Sequence, residues 1–134
     1  MELVLLVAIV LHILSGVFWA GSTFVLARTE AAFIDRLFRP QMGAAVLAVL
    51  TGGVLWHVLH RSGFGRQEVV LALGAFTAVV AAGVQGALCG RALRQLAIAG
   101  GTHTRSQVQA ALGQRIAAGC LGLTVICMAA ARYI

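Results

Sequence analysis

His12 is the residue of this chain best suited to chemistry, because it lies within a continuous apolar run near the N-terminus. An imidazole inside a membrane-spanning helix is costly to insert and therefore indicates a functional site. Trp19 follows two helical turns later on the same face, and Ser15, Gly16 and Thr23 complete the stripe. Polar and small residues on one face of a span are expected to point away from lipid. We interpret the stripe as a candidate cofactor site, or else as a packing seam in which His12 bonds to a neighbouring helix.

A second pair of imidazoles, His57 and His60, is separated by one helical turn, a spacing that can bind a metal ion. Gly53 lies one turn before His57 and would let a flat ligand or another backbone approach closely. His60 also fits an interfacial anchor beside Trp56. His12 and His57 are candidates to ligate one haem, although their expected depths differ by about 8 Å. Another choice of second ligand, or iron bound by His12 alone, remains open.

Three further polar features lie in the third and fourth apolar blocks. Arg115 is expected either to extend to lipid headgroups or to bind an anion such as a haem propionate or a quinone headgroup. Gln85 is expected to hydrogen bond between helices, beside a close-packing seam of Ala82, Gly86 and Gly90. The three cysteines lack metal-site spacing, so we interpret them as small packing residues.

The composition identifies the class of protein that must position these residues. Of 134 residues, 60% are hydrophobic and only 10% are charged, whereas soluble domains have about a quarter charged. Four apolar blocks, at about 3–27, 42–60, 69–90 and 113–131, approach or exceed the ~20 residues that a span needs. The sequence therefore predicts one all-α domain, an integral membrane four-helix bundle. Residues 28–41 are amphipathic and predict a short interfacial helix.

The arginines predict how the bundle is oriented. Seven of the ten lie in the first and third connections or at the start of the fourth block, against three on the other side. By the positive-inside rule, the longer connections lie in the cytoplasm and both termini lie outside a bacterial inner membrane. The same distribution argues against nucleic-acid binding despite the net charge of +6, because the arginines mark the ends of spans.

Six residues separate His12 from Trp19, and one residue separates Trp19 from Gly21. This spacing resembles the first helix of a group of small membrane proteins. That group contains copper-resistance D-like (CopD) domain proteins and HemJ-type protoporphyrinogen oxidases. The HemJ-like resemblance implies a b-type haem near His12 and oxidation of a porphyrinogen coupled to quinone. The CopD-like resemblance implies copper handling from the outer face.

Our leading hypothesis is a b-type haem protein of the membrane that moves electrons to or from a quinone or a porphyrinogen. His12 would be the axial ligand, with His57 as the second ligand. A non-catalytic small subunit of a larger membrane complex is the first alternative, since no acidic residue lies within the predicted spans. Copper transport through His57 and His60 is the second. Expected partners are the lipid bilayer, a quinone, and membrane-protein partners or a second copy of the chain.

Overall fold

The computed structural model of the chain describes residues 2–59, 65–99 and 104–134, and these residues are almost entirely helical. Four continuous helical segments, which we call rods, are long and apolar enough to cross a membrane, as the sequence predicted. The elements are α1 (Glu2–Arg28), α2 (Ile34–Leu59), α3 (Arg66–Val84), a π-helical turn (Gln85–Cys89), α4 (Gly90–Ala99), α5 (Thr104–Ala130) and a final 3-10 turn (Ala131–Tyr133). The third candidate span runs without interruption through α3, the π turn and most of α4.

Neighbouring rods run antiparallel, as side-chain contacts along their lengths show. On α1 and α2, His12 meets Thr51 while Thr23 meets Gln41. The alternation brings both termini to one end of the bundle, which we call the terminal end. The opposite end, where α1 turns into α2, is the loop end. Helix α1 packs extensively on α2 and α3 packs extensively on α5, whereas α2 and α3 touch only slightly.

Helix α2 begins earlier than the apolar pattern predicted. The amphipathic residues 34–41 are not a separate interfacial helix but the first turns of α2, which continues through Pro40 to Leu59. The chain reverses just before this point, where the Ala31 N–H donates to the Leu26 carbonyl at 2.9 Å. Glu30 and Ala31 adopt positive φ angles of 51° and 60° to make the turn.

The interior is built mostly from small residues, which let the helices approach closely. Alanines of α2, α3 and α5 surround Trp19 and Leu121 in the middle of the bundle. A second apolar cluster at the loop end is formed around Leu26 and Ile34. Large aliphatic side chains instead cover the outside. In water such a surface would aggregate, whereas it suits contact with acyl chains.

The π turn keeps two polar side chains directed into the bundle. Ala81, Gln85 and Cys89 are all fully buried, and each is four residues from the next. Two four-residue steps in an α-helix would rotate Cys89 by about 80° away from the direction of Ala81. The π turn contains more residues per turn, so Gln85 and Cys89 stay on the same side as Ala81. Such turns occur frequently at functional sites. Gly113 of α5 packs against the turn, where a Cβ would lie 3.2 Å from the Cys89 sulfur.

Candidate functional site

His12 is half-buried between α1 and α2, toward the terminal end of the bundle. Its Nδ1 lies 2.9 Å from the Ala48 carbonyl oxygen and 3.2 Å from the Thr51 hydroxyl oxygen. The sequence left open whether this imidazole would bond to a neighbouring helix, and the structure shows that it does. One ring nitrogen is therefore anchored on the backbone of α2.

These contacts determine which nitrogen of His12 carries the proton. A carbonyl oxygen can only accept, so Nδ1 must be the donor to Ala48. The Thr51 hydroxyl donates its own hydrogen to the Leu47 carbonyl at 2.7 Å and cannot donate to the ring as well. Neutral His12 therefore carries its proton on Nδ1 and a lone pair on Nε2. Within the described residues, Nε2 has no hydrogen-bond partner.

Gly52 explains how the imidazole can lie so close to α2. A Cβ at this position would be 3.0 Å from His12 Cε1 and 3.4 Å from Nδ1. Any larger residue would therefore displace the ring from the Ala48 carbonyl. Gly16, one turn along α1 from His12, has no atom within 4 Å of its own Cβ position, so the surface of α1 is open at that residue.

His57 does not lie opposite His12. It is five residues after Gly52, so at about 100° per residue its side chain departs from α2 about 140° away from the direction that faces His12. The imidazole is exposed, and so is Gly53, whose Cβ position contacts nothing within 4 Å. The structure thus does not bring His12 and His57 together on the two sides of one ligand.

The other two predicted site residues are His60 and Arg115. His60 falls outside the described residues, so its pairing with His57 stays a prediction. Among the residues that are described, no group of three or more His, Cys, Asp or Glu side chains could hold a metal ion. Arg115 is exposed on α5, directly after the buried Gln114, and so points away from the bundle interior.

Trp19 belongs to a different site from His12. The indole is buried, and its Nε1–H donates to the Gln85 side-chain oxygen at 2.7 Å. Gln85 is the centre of a buried polar group that we call the amide cluster. Its members are Trp19, Thr23, Gln41, Gln85, Cys89 and Gln114, contributed by α1, α2, the π turn and α5.

The hydrogen bonds of the amide cluster have only one consistent direction. Trp19 can only donate, so Gln85 must present its oxygen to the indole and its NH₂ group to Thr23 and Gln114, at 2.9 and 3.0 Å. The Gln114 oxygen accepts from both Gln85 and Gln41. The Gln114 NH₂ group in turn donates to the Gln41 oxygen at 3.1 Å and to the Cys89 sulfur at 3.5 Å.

Every polar atom of the three glutamine side chains therefore has a partner. The Thr23 hydroxyl completes the set, because it donates to the Trp19 carbonyl at 2.7 Å and accepts from Gln41 and Gln85. The three glutamines are all fully buried. A saturated network of this kind joins four helices and leaves no polar group free to bind a ligand.

The sequence analysis found only part of this cluster. It predicted that Gln85 hydrogen bonds between helices, which the structure confirms, and it placed Thr23 on the stripe of His12. It did not identify Gln41 or Gln114 as interior residues, because both lie at the edges of apolar blocks. The available signal was one glutamine in or next to each of three predicted spans, since lipid cannot satisfy an amide.

No family model matches this chain, and no match was found among curated proteins or solved structures. The resemblance to the CopD and HemJ group consequently rests on the spacing of His12, Trp19 and Gly21. The structure adds that the first two of these residues have different partners, His12 on α2 toward the terminal end and Trp19 on Gln85 toward the loop end.

Proposed function

We propose that this chain is a membrane-spanning b-type haem protein that transfers electrons, with His12 as the protein ligand to iron. The observation that carries the proposal is the arrangement of the His12 ring. Its Nδ1–H is held by the Ala48 carbonyl, and its Nε2 lone pair has no partner among the described residues. Nε2 is one of the two nitrogens through which a neutral histidine binds a metal.

The donor chemistry around His12 fits a haem iron. Metal-ligating histidines typically donate their other ring N–H to a backbone carbonyl or a carboxylate, which fixes the ring and raises its basicity. Ala48 supplies this carbonyl, and Gly52 lets the ring lie against α2 without a clash. Bound haem would supply one-electron chemistry at a potential set by its ligand and surroundings.

The proposal assigns a single histidine to the iron. His57 departs from the far side of α2, so we leave it out of the ligand set that the sequence alone favoured. The space beside Gly16 is open on the surface of the bundle rather than enclosed by it. Because His12 is only half-buried, a haem held by it could exchange electrons with a quinone in the bilayer.

In this proposal the chain spans a bacterial inner membrane and both of its termini lie on the outer side. The support for this placement is the length and apolarity of the four rods together with the concentration of arginines at the loop end. In this orientation His12 lies in the outer half of the membrane and the amide cluster near the cytoplasmic surface.

An optical experiment tests the haem assignment. The protein would be expressed with added haem precursor, purified in detergent, and recorded as a reduced-minus-oxidised spectrum. We expect a b-type spectrum that is lost in His12→Gly and partly restored by added imidazole, while His57→Ala keeps it. A wild-type spectrum without haem bands would refute the proposal, as would an equal loss in both variants.

The amide cluster favours a second candidate, a non-catalytic subunit that stabilises a larger membrane assembly. A core whose buried amides are all paired suits a rigid scaffold better than a moving transporter. Affinity purification of the tagged chain from its native membrane would test this candidate. Stoichiometric co-purification of a partner without haem would favour it, and a monodisperse protein carrying haem would exclude it.

A further inference from the structure

A groove runs along the outside of the bundle between α2 and α3. Near the loop end α2 approaches the π turn that follows α3, where the Gly86 Cβ position lies 4.0 Å from the Met42 methyl group. From there toward the terminal end the helices contribute only small residues to the floor, Ala45 and Ala82. The result is a depression of about 240 Å³ with an entirely apolar lining.

The sides of the groove face outward into the surroundings of the bundle. Val46, Leu50 and Val79 line it and are 56%, 63% and 54% exposed. Because the groove lies on two candidate spans, the medium that meets these side chains in a bilayer is hydrocarbon. The stretch of α2 that lines it, from Met42 to Leu50, is about 12 Å long.

A cation lies at the loop end of this groove. Arg39 is three residues before Met42 and seven before Val46, so all three project from the same face of α2. Its side chain is exposed and about 4.5 Å along the helix axis from Met42. Asp35 lies one turn away but does not form an ion pair with Arg39 in the structure. The guanidinium is therefore available to an anion from outside the chain.

We propose that the groove binds an anionic phospholipid. One acyl chain would lie over Ala45 and Ala82, and the phosphate would be held by Arg39. Arginine presents several donors in a planar fork that matches phosphate oxygens, and basic residues at membrane boundaries attract anionic headgroups. Arg39 lies at the loop end and the apolar floor of the groove lies deeper in the span, which matches the positions of the headgroup and the acyl chain in a lipid leaflet.

The size of the groove favours a lipid chain over another helix. A helix with its side chains is about 10–12 Å across, whereas the groove holds only about 240 Å³ and is closed toward the loop end where Met42 lies near Gly86 of the π turn. A flexible hydrocarbon chain can fill such a space without ordering a second protein. A second copy of this chain in the groove is the competing outcome of the test.

The test uses purified full-length protein and native mass spectrometry in detergent. Dioleoyl phosphatidylglycerol and dioleoyl phosphatidylcholine would be added separately at matched concentrations. We expect one tightly held phosphatidylglycerol, with about fivefold weaker retention of phosphatidylcholine, since one basic residue near the surface contributes about that factor. Arg39→Gln should remove the preference between the two lipids, whereas Arg105→Gln, a matched exposed arginine at the same end, should keep it.

A groove-filling variant separates the acyl chain from the headgroup. Ala82→Leu should lower retention of both lipids, and Ala129→Leu, an exposed alanine on α5, should leave both unchanged. Retention by Ala82→Leu equal to that of the wild type would overturn the proposal. So would a dimer mass in the wild type that disappears in Ala82→Leu, because it would place a second copy in the groove. Neither result depends on whether haem is bound.

Discussion

The two polar regions inside the bundle differ in how completely their hydrogen bonds are satisfied. The amide cluster, toward the loop end, pairs every donor and acceptor of Gln41, Gln85 and Gln114 within the protein. The region of His12, toward the terminal end, satisfies one ring nitrogen and leaves the other without a partner in the described part of the chain.

We interpret this difference as that between a structural polar core and a candidate binding site. An unsatisfied buried acceptor costs about 1–3 kcal/mol, a cost that a purely structural residue would avoid. The amide cluster avoids it by using residues from four helices. His12 carries part of this cost while it is half-buried. We infer that the amide cluster stabilises the bundle and that the His12 region binds a ligand.

Removing the centre of the amide cluster should have the largest effect on stability. Gln114→Leu leaves amide hydrogens of Gln41 and Gln85 and an oxygen of Gln41 without partners. We expect the free energy of unfolding to fall by about 2–4 kcal/mol. The measurement is an SDS titration of detergent-solubilised protein followed by circular dichroism.

Gln107 provides the matched control for that variant. It lies on the same helix and is exposed, so Gln107→Leu should change the free energy of unfolding by less than about 0.5 kcal/mol. Equal stability of Gln114→Leu and Gln107→Leu would show that the amide cluster does not hold the helices together.

The contact between Trp19 and Gln85 should show energetic coupling. Trp19→Phe leaves the Gln85 oxygen without its donor, and we expect a loss of about 1–2 kcal/mol. Adding Trp19→Phe to Gln85→Leu should cost about 1 kcal/mol less, because the acceptor is already gone. Strictly additive losses in a double-mutant cycle would mean that the 2.7 Å hydrogen bond contributes nothing.

Two adjacent glycines of α2 give a smaller but sharper test of the His12 region. Gly53→Ala meets no atom within 4 Å and should stabilise the helix by up to about 1 kcal/mol. Gly52→Ala places a methyl group 3.0 Å from His12 Cε1 and should lose that gain. The same SDS titration measures both variants, and equal gains would show that the ring does not lie against Gly52.

The fold and the candidate site differ in how much of each could be predicted from the sequence. The four rods followed from apolar length alone, because each block is long enough to cross a bilayer. The role of His12 could be predicted only as a choice between ligand and packing residue, since its partner Ala48 is 36 residues away. The amide cluster was missed because Gln41 and Gln114 meet across 73 residues. The sequence suggested one site for Trp19 and His12 because they share a face of α1. In the structure His12 bonds to Ala48 of α2, whereas Trp19 bonds to Gln85 of the π turn.

The most direct test of the account is the protonation of the His12 ring in the membrane. Solid-state ¹⁵N spectra of histidine-labelled protein in lipid vesicles, compared with His12→Asn, would isolate the signals of this one imidazole. The account predicts the tautomer with a proton on Nδ1 and none on Nε2, whose signal shifts or broadens when ferric haem is added. A proton on Nε2, or an Nε2 signal that haem leaves unchanged, would contradict the account.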